Sequence, residues 1–253
     1  MVRDGQEGTE PVEPPGFDAA DAVGGFFVLR RTPPQTGQPA GHRPLARLYA
    51  GETAPLTARI DRVATGLRTP ERRVAASTAH LGLAARLWSV ALGSAALHGA
   101  FPALAPEELH WDGALAAPDD LWWSGADLRP ATVDALREAV LEAHLVPLHE
   151  ALRRDGRISP RLLWGNAGSA LAGALRELVR YSRAHHRPET ARRAAALVSG
   201  LLDHPDLAGT VQGPALRRTT CCLYYRCPGG GLCGDCVFDQ SPRTGLETGP
   251  SAP

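Results

Sequence analysis

Val74, Thr78, Leu81, Ala85, Trp88, Leu92 and Ala95 recur at alternating spacings of four and three. That period puts all seven on one side of an α-helix about 25 residues long. Thr69 is the expected cap, Pro70 the first helical position and Gly99 the stop. Arg86 interrupts the apolar run at 83–97, so no stretch here reads as a membrane span.

Three more helices are expected after it. Val133, Leu136, Val140, His144, Leu148 and Leu152 share one face, with Pro147 inside as a kink or interruption and Gly156 as the end. Ser159-Pro160 opens the next, with Leu163, Ala167, Ala170, Leu171, Ala174 and Leu178 inward. His185-His186-Arg187-Pro188 breaks the chain before a last helix over 189–202, whose apolar face is Leu197, Val198, Leu201 and Leu202. Residues 25–30 and 42–49 are β-prone, with a loop over 33–41 between them. Leu109-His110-Trp111 and Leu121-Trp122-Trp123 suggest a small hairpin. The fold class expected is mainly α, that is α+β with a small antiparallel β element. Its division is a disordered N-terminus over 1–17, a helical domain over 18–208, a cysteine-bearing segment over 209–238 and a flexible tail over 239–253.

The chain has 253 residues, 43% of them hydrophobic, enough for one domain with a sizeable core. Its formal charge is zero, so no overall basic field argues for nucleic acid. The basic residues are all arginine, and lysine is absent. The first residues show no basic stretch followed by an apolar one, and no secretory signal is expected. A cytoplasmic location follows, where thiols stay reduced.

All five cysteines fall within 221–236: Cys221, Cys222, Cys227, Cys233 and Cys236. Core cysteines would be scattered; a cluster threaded with glycine is a ligand set. Four thiolates suit either a tetrahedral zinc or a two-iron cluster. Cys233-Gly234-Asp235-Cys236 is a hook that lets two sulfurs converge. Vicinal cysteines such as Cys221 and Cys222 converge only in a bent backbone, and zinc sites mostly use Cys-x2–4-Cys at both ends. The vicinal pair therefore favours iron–sulfur over zinc, and a thiol redox pair is the third reading. Gly229, Gly230 and Gly231 can take positive φ and bring amides to sulfur. Arg217, Arg218 and Arg226 place positive charge near the thiolates, and Tyr224, Tyr225 and Leu232 limit water access.

The Cys-Cys-x10-Cys-x-x-Cys spacing resembles the C-terminal motif of the FhuF-type ferric-siderophore reductases. Leu163-Trp164-Gly165-Asn166 and the pattern around Leu145–Leu148 also resemble segments of that family's helical domain. The resemblance covers roughly residues 40–238, the cysteine motif being its most specific part. It implies a [2Fe–2S] cluster held by Cys221 and Cys222 at one end and by Cys233 and Cys236 at the other. Cys227 lies outside the four-cysteine pattern, as a bystander, an alternative ligand or a redox-sensitive thiol. The activity implied is one-electron reduction of a cytoplasmic ferric siderophore of hydroxamate type, releasing Fe(II). No Gly-x-Gly-x-x-Gly follows a strand, so an external electron donor of ferredoxin or flavin-reductase type is expected. A membrane siderophore transporter is at most a weak associate, which would bring the protein to the inner face of the membrane. The competing readings are an iron–sulfur carrier or sensor without a siderophore, and a zinc-stapled binding protein.

Other residues have plainer readings. His80, His98 and His144 read as core or interface histidines, and His185-His186 as a cap or exposed turn. Trp122, Trp123 and Trp164 read as packing residues. The alternative for Trp164-Gly165-Asn166 is the face on which the cysteine segment docks. The arginine pairs at 72–73, 153–154 and 192–193 read as solvated helix faces.

Overall fold

A computed structural model describes residues 18–31, 41–155 and 158–242. The expectations for 1–17, for the loop at 32–40, for Gly156 and for the tail beyond 242 lie outside these. Within them the chain is mainly helical, with short antiparallel strands and the cysteines at its C-terminal end.

After a short first helix, α1 (Asp18–Asp21), the chain centres on α4, Arg72–His98. Its 27 residues span about 40 Å at 1.5 Å each. Gly99 ends it in the left-handed conformation at φ 77°, its N–H returning to Ala95 O at 3.0 Å. The start lies two residues later than expected. Glu71 takes the capping position, and Thr69 accepts a hydrogen bond from the Glu71 N–H at 3.3 Å. α4 is buried nearly all round: Ala75, Ala84, Leu87, Trp88, Ala91, Leu92 and Ala95 are sealed from solvent. α3 (Ala54–Gly66), α7 (Pro160–Ala184) and α8 (Pro188–Leu202) pack around it. Burying a side chain the size of Trp88 contributes about 3 kcal/mol.

Arg86 does not face water. It is 1% exposed and bonds Asp120 Oδ1 at 2.8 Å and Val28 O at 2.9 Å. The carbonyls of Gly25, Phe26 and Pro118 accept its remaining N–H groups. One buried guanidinium thus pins the 25–28 segment onto α4. That segment, expected as a strand, is mostly turn, and only Arg30 makes a bridge, to Trp122.

The expected hairpin is present. β3 (Leu109–Trp111) pairs antiparallel with β4 (Leu121–Trp123), Leu109 opposite Trp123, and β1 (Arg43–Pro44) adds to the other edge. The β-prone stretch at 42–49 is overturned after Pro44. Residues Leu45–Tyr49 form the short helix α2, which buries Leu45 and Leu48 one turn apart. A second pair, β2 (Ala100–Pro102) with β5 (Leu128–Pro130), leads into the next helix.

That helix runs as α5 (Val133–Leu136), a π-helical stretch (Arg137–Leu145) and α6 (Val146–Asp155). Pro147 brings no N–H and its ring crowds the carbonyl four residues back. The chain meets this by widening its turns ahead of the proline, so the Val146 N–H reaches Leu141 O, five residues back. The expected kink is a change of winding without a break. α7 starts at Pro160 with Ser159 at its cap, as expected, and α8 follows His186, which has φ 54°. Beyond it, β6 (Val211–Gln212) and β7 (Arg217–Arg218) form a small ribbon. The ribbon lies against α7, because Gly165 and Gly168 present bare backbone there. A methyl group at either would overlap Thr220 Oγ1 or Thr210 Oγ1.

Candidate iron–sulfur site

The cysteine segment leaves β7 and rests on α4 and α7. Arg218, at 1% exposure, is the deepest charge in it. Its Nη2 donates to Asn166 Oδ1 at 2.6 Å and its Nε to Thr220 O. Asn166 Nδ2 in turn donates to Ser77 O and Ser77 Oγ, both at 3.0 Å. Ser77 Oγ donates to Cys222 O at 2.8 Å. A chain of polar contacts thus runs from the ribbon through α7 and α4 to the second cysteine. Gly165 and Asn166 do line the docking face; Trp164 beside them packs edge-on against His149, ring centroids 4.3 Å apart.

The backbone bends where the vicinal pair requires it. Leu223 has φ 71°, the left-handed region that non-glycine residues seldom occupy. This turns its N–H onto Cys221 Sγ at 3.2 Å. The Phe238 N–H reaches Cys236 Sγ at 3.5 Å. Cys222 Sγ and Cys233 Sγ lie 3.6 Å apart, within hydrogen-bond reach for sulfur. That contact, aided by the Tyr224 N–H and by Arg218, holds Cys222 down to about 6, while it raises Cys233. Burial pushes the Cys221 thiol up against the Leu223 N–H, with smaller contributions from Cys222 and Cys236. Burial also raises Cys227, which among the other cysteines feels Cys222 alone. Cys222, Cys227 and Cys236 are buried, and Cys221 and Cys233 reach the surface.

Three details differ from expectation. The amides that reach sulfur belong to Leu223, Tyr224 and Phe238. The glycine run serves the turn instead: Gly229 has φ 69° and the Gly230 N–H bonds Cys227 O at 2.8 Å. Of the three arginines, only Arg218 keeps its charge for the thiols. Arg226 pairs with Glu71 at 2.7 Å, and that hydrogen bond holds the Glu71 carboxyl below its ordinary value. Arg217 closes the segment onto itself through Cys236 O at 2.6 Å and Asp239 at 2.8 Å. Tyr225 and Phe238 meet edge to face at 5.6 Å beside the hook.

The residues fit an anionic cluster. A buried cation with no partner costs several kcal/mol. Arg86 meets that need with Asp120, but Arg218 has no carboxylate partner among the described residues and its Nη1 lacks any hydrogen bond. Its charge acts instead on Cys221 and Cys222. Among the described residues no group of three or more His, Cys, Asp or Glu side chains is gathered closely enough to hold a metal ion, and the sulfur–sulfur contact at 3.6 Å joins Cys222 of the vicinal pair to Cys233 of the hook.

His80, His149 and His144 are core histidines. Burial depresses all three, His144 and His149 to about 4. His144 bonds Leu104 O at 2.6 Å and Tyr49 Oη at 2.9 Å; His149 meets His80 at 2.9 Å. The arginines of the 72–73 and 192–193 pairs are exposed, as expected. Ser77, Thr220 and Asp235 escaped the sequence reading. Ser77 and Thr220 carry no local signal, and nothing in the spacing of the hook marks Asp235.

Comparison with known proteins gives the family. Residues 84–222 match the family described as ferric iron reductase FhuF-like transporter, and residues 218–238 match the FhuF 2Fe-2S C-terminal domain. The chain is 33% identical over 135 residues to the ferric siderophore reductase of Escherichia coli strain K12. That match covers 52% of this chain and 51% of the relative, so the chain spans about half the length of the curated protein it matches. The chain belongs to the FhuF-like ferric iron reductase family, and its C-terminal end is that family's [2Fe–2S] domain.

Proposed function

We propose that this protein is a ferric-siderophore reductase whose [2Fe–2S] cluster is held by Cys221, Cys222, Cys233 and Cys236. The observation that carries the ligand set is the approach of the vicinal pair to the hook, Cys222 Sγ lying 3.6 Å from Cys233 Sγ, on a segment seated by the buried Arg218, which has no carboxylate partner among the described residues. The reading divides the chain into a helical body over 18–208 and a cluster-binding segment over 209–238.

When bound, a [2Fe–2S] cluster supplies one-electron transfer. The remaining work falls to the chain. Thiolates of the vicinal pair and of the hook hold the irons. The N–H groups of Leu223, Tyr224 and Phe238 lower the electron density at sulfur and so raise the potential. Arg218 offsets negative charge from below. Tyr225 and Phe238 shield one side from water. Cys221 and Cys233 at the surface leave the opposite side within reach of a bulky chelate.

The substrate in this reading is a cytoplasmic Fe(III) siderophore of hydroxamate type. Its hard oxygen donors hold ferric iron far more tightly than ferrous. One electron added to the iron loosens the chelate and frees Fe(II). An external donor of ferredoxin or flavin-reductase type restores the electron. Among the described residues no helix is long and apolar enough to cross a membrane. Any association with a transporter at the inner face would therefore be peripheral for this part of the chain.

The test is electron paramagnetic resonance of dithionite-reduced, anaerobically purified protein. A reduced [2Fe–2S] signal that vanishes on adding a ferric hydroxamate, with Fe(II) captured by a ferrous chelator, supports the reading. A colourless protein holding one zinc overturns it. A reduced cluster that ignores every ferric siderophore makes the protein an electron carrier or sensor.

A further inference from the structure

Two members of the central apolar stripe, Leu81 and Ala85, are not fully covered. They line a cleft of about 450 Å3 between α4 and α7. The Gly24–Phe27 turn, held by Arg86, forms another part of its lining, with Phe26 left 44% exposed. Arg176, Glu177 and Arg180 of α7 supply its charge. The cleft is tied to the cysteine hook. Ser169 lines it and donates to Asp235 Oδ2 at 2.5 Å, and Arg176 lies 3.8 Å from the same carboxylate. Asp235 sits between Cys233 and Cys236.

Gly173 is the second observation. It stands in the middle of α7, on the cleft, where glycine costs about 1 kcal/mol relative to alanine. No turn requires it, and a methyl group there would meet only Arg176 Nη2, at 3.8 Å. Unlike Gly165 and Gly168, it makes no room for another segment of this chain. What its missing side chain keeps open is the cleft.

We infer that this cleft seats the substrate, an oxygen-rich ferric chelate. Its volume falls within the range of small-molecule sites, and its lining joins an apolar surface to a few polar groups. The forked N–H donors of Arg176 face the paired oxygens of the chelate, while Arg180 is held in an ion pair with Glu177 at the same wall. Its hydrocarbon linkers lie on Leu81, Ala85 and Phe26. The Ser169–Asp235 contact ties the wall of the cleft to the hook. This assignment rests on the reductase reading.

The test uses the cluster-loaded protein and its Gly173→Leu variant, in which the new side chain fills the cleft and α7 gains helix propensity. Binding is measured by equilibrium dialysis with the redox-inert Ga(III) complexes of a linear and a cyclic trihydroxamate. Reaction is measured as single-turnover oxidation of the reduced cluster by the matching Fe(III) complexes, with ferricyanide as a small oxidant that needs no cleft. The expected result is at least tenfold weaker binding and slower oxidation by the Fe(III) complexes in the variant. Its cluster spectrum and its reaction with ferricyanide should match the wild type. Equal binding and equal rates in the two proteins overturn the cleft and leave the reductase reading intact. Ga(III) complexes that bind the wild type but not the variant, with a reduced cluster inert to every Fe(III) complex, keep the cleft and overturn the reductase. No binding of either Ga(III) complex to the wild type overturns the cleft.

Discussion

Arg218 Nη2 meets Asn166 Oδ1 at 2.6 Å with both side chains buried, and Asn166 spends its amide hydrogens on Ser77. Asn166 is therefore the only described side chain that accepts from this cation, and it is held from α4. Asn166→Leu leaves a buried charged donor without its side-chain acceptor, a loss of about 3 kcal/mol. Urea titration should show the visible cluster absorbance lost at a lower midpoint than in the wild type. Unchanged midpoints would show that the contact is dispensable.

Arg218 also bears on the cluster's potential. A positive charge beside the thiolates favours the reduced state, which carries one more negative charge. Arg218→Met should lower the midpoint potential by at least ~59 mV, a tenfold shift of a one-electron equilibrium, and Arg218→Lys should recover most of it. A potentiometric titration followed by electron paramagnetic resonance reads only the loaded fraction, so a lower cluster yield does not disturb the measurement.

Gly165 and Thr220 offer a test of docking by second-site rescue. Gly165→Ala pushes a methyl group into Thr220 Oγ1, which is buried and has no hydrogen-bond partner. The single variant should lose cluster occupancy while its far-ultraviolet dichroism stays helical. Adding Thr220→Ala removes the overlapping atom at little cost, and occupancy should return. Failure of the double variant to recover would mean that the segment is not seated there.

Cys227 points a buried thiol at the cluster segment without belonging to either pair. Cys227→Ser should leave the cluster spectrum and iron content unchanged, whereas serine at Cys222 or Cys236 should abolish or shift both. Loss of iron in the Cys227 variant alone would force a different ligand set.

His144 gives the body an acid sensitivity separate from the thiols. Its folded value, about 4, lies below the ordinary 6.5 because burial disfavours the imidazolium. The unfolded chain therefore binds the proton first, and stability falls as pH drops from about 6.5 towards 4. Between pH 7 and 5 the loss is about 2 kcal/mol. His144→Gln lacks this slope, so the stability gap between the two proteins, measured by urea unfolding, should narrow by that amount on acidification. A gap constant with pH would refute the assignment.

What could be read along the chain was local. The Gly99 stop, the Ser159-Pro160 start, the hairpin of Leu109–Trp111 with Leu121–Trp123 and the cysteine spacing all carry their signals within a few residues. The Ser77–Cys222 contact joins residues 145 apart in the chain and the Asn166–Ser77 contacts join residues 89 apart, and neither serine nor asparagine announces a partner. The all-round burial of α4 was hidden because Ala75, Ser77, Ala79, Gly93 and Ser94 add little to a hydrophobic pattern. Helix α3 went unread although Leu56 and Ile60 mark its buried face, since Arg59, Asp61 and Arg62 dilute the stripe. At 45–49 two leucines three apart outweighed the strand tendency of the residues before them.

The π-helical stretch ahead of Pro147 amounts to surplus chain wound into a helix. Each residue of an α-helix turns the one after it by roughly 100°, so the surplus sets the phase of everything from Val146 onward. Returning the stretch to ordinary winding with all its residues kept would over-rotate the chain and turn His149 away from His80 and Trp164, whereas losing one residue there would let ordinary turns reach nearly the same phase. The bearing of α6 is thus set by the match between residue count and winding as much as by any side chain.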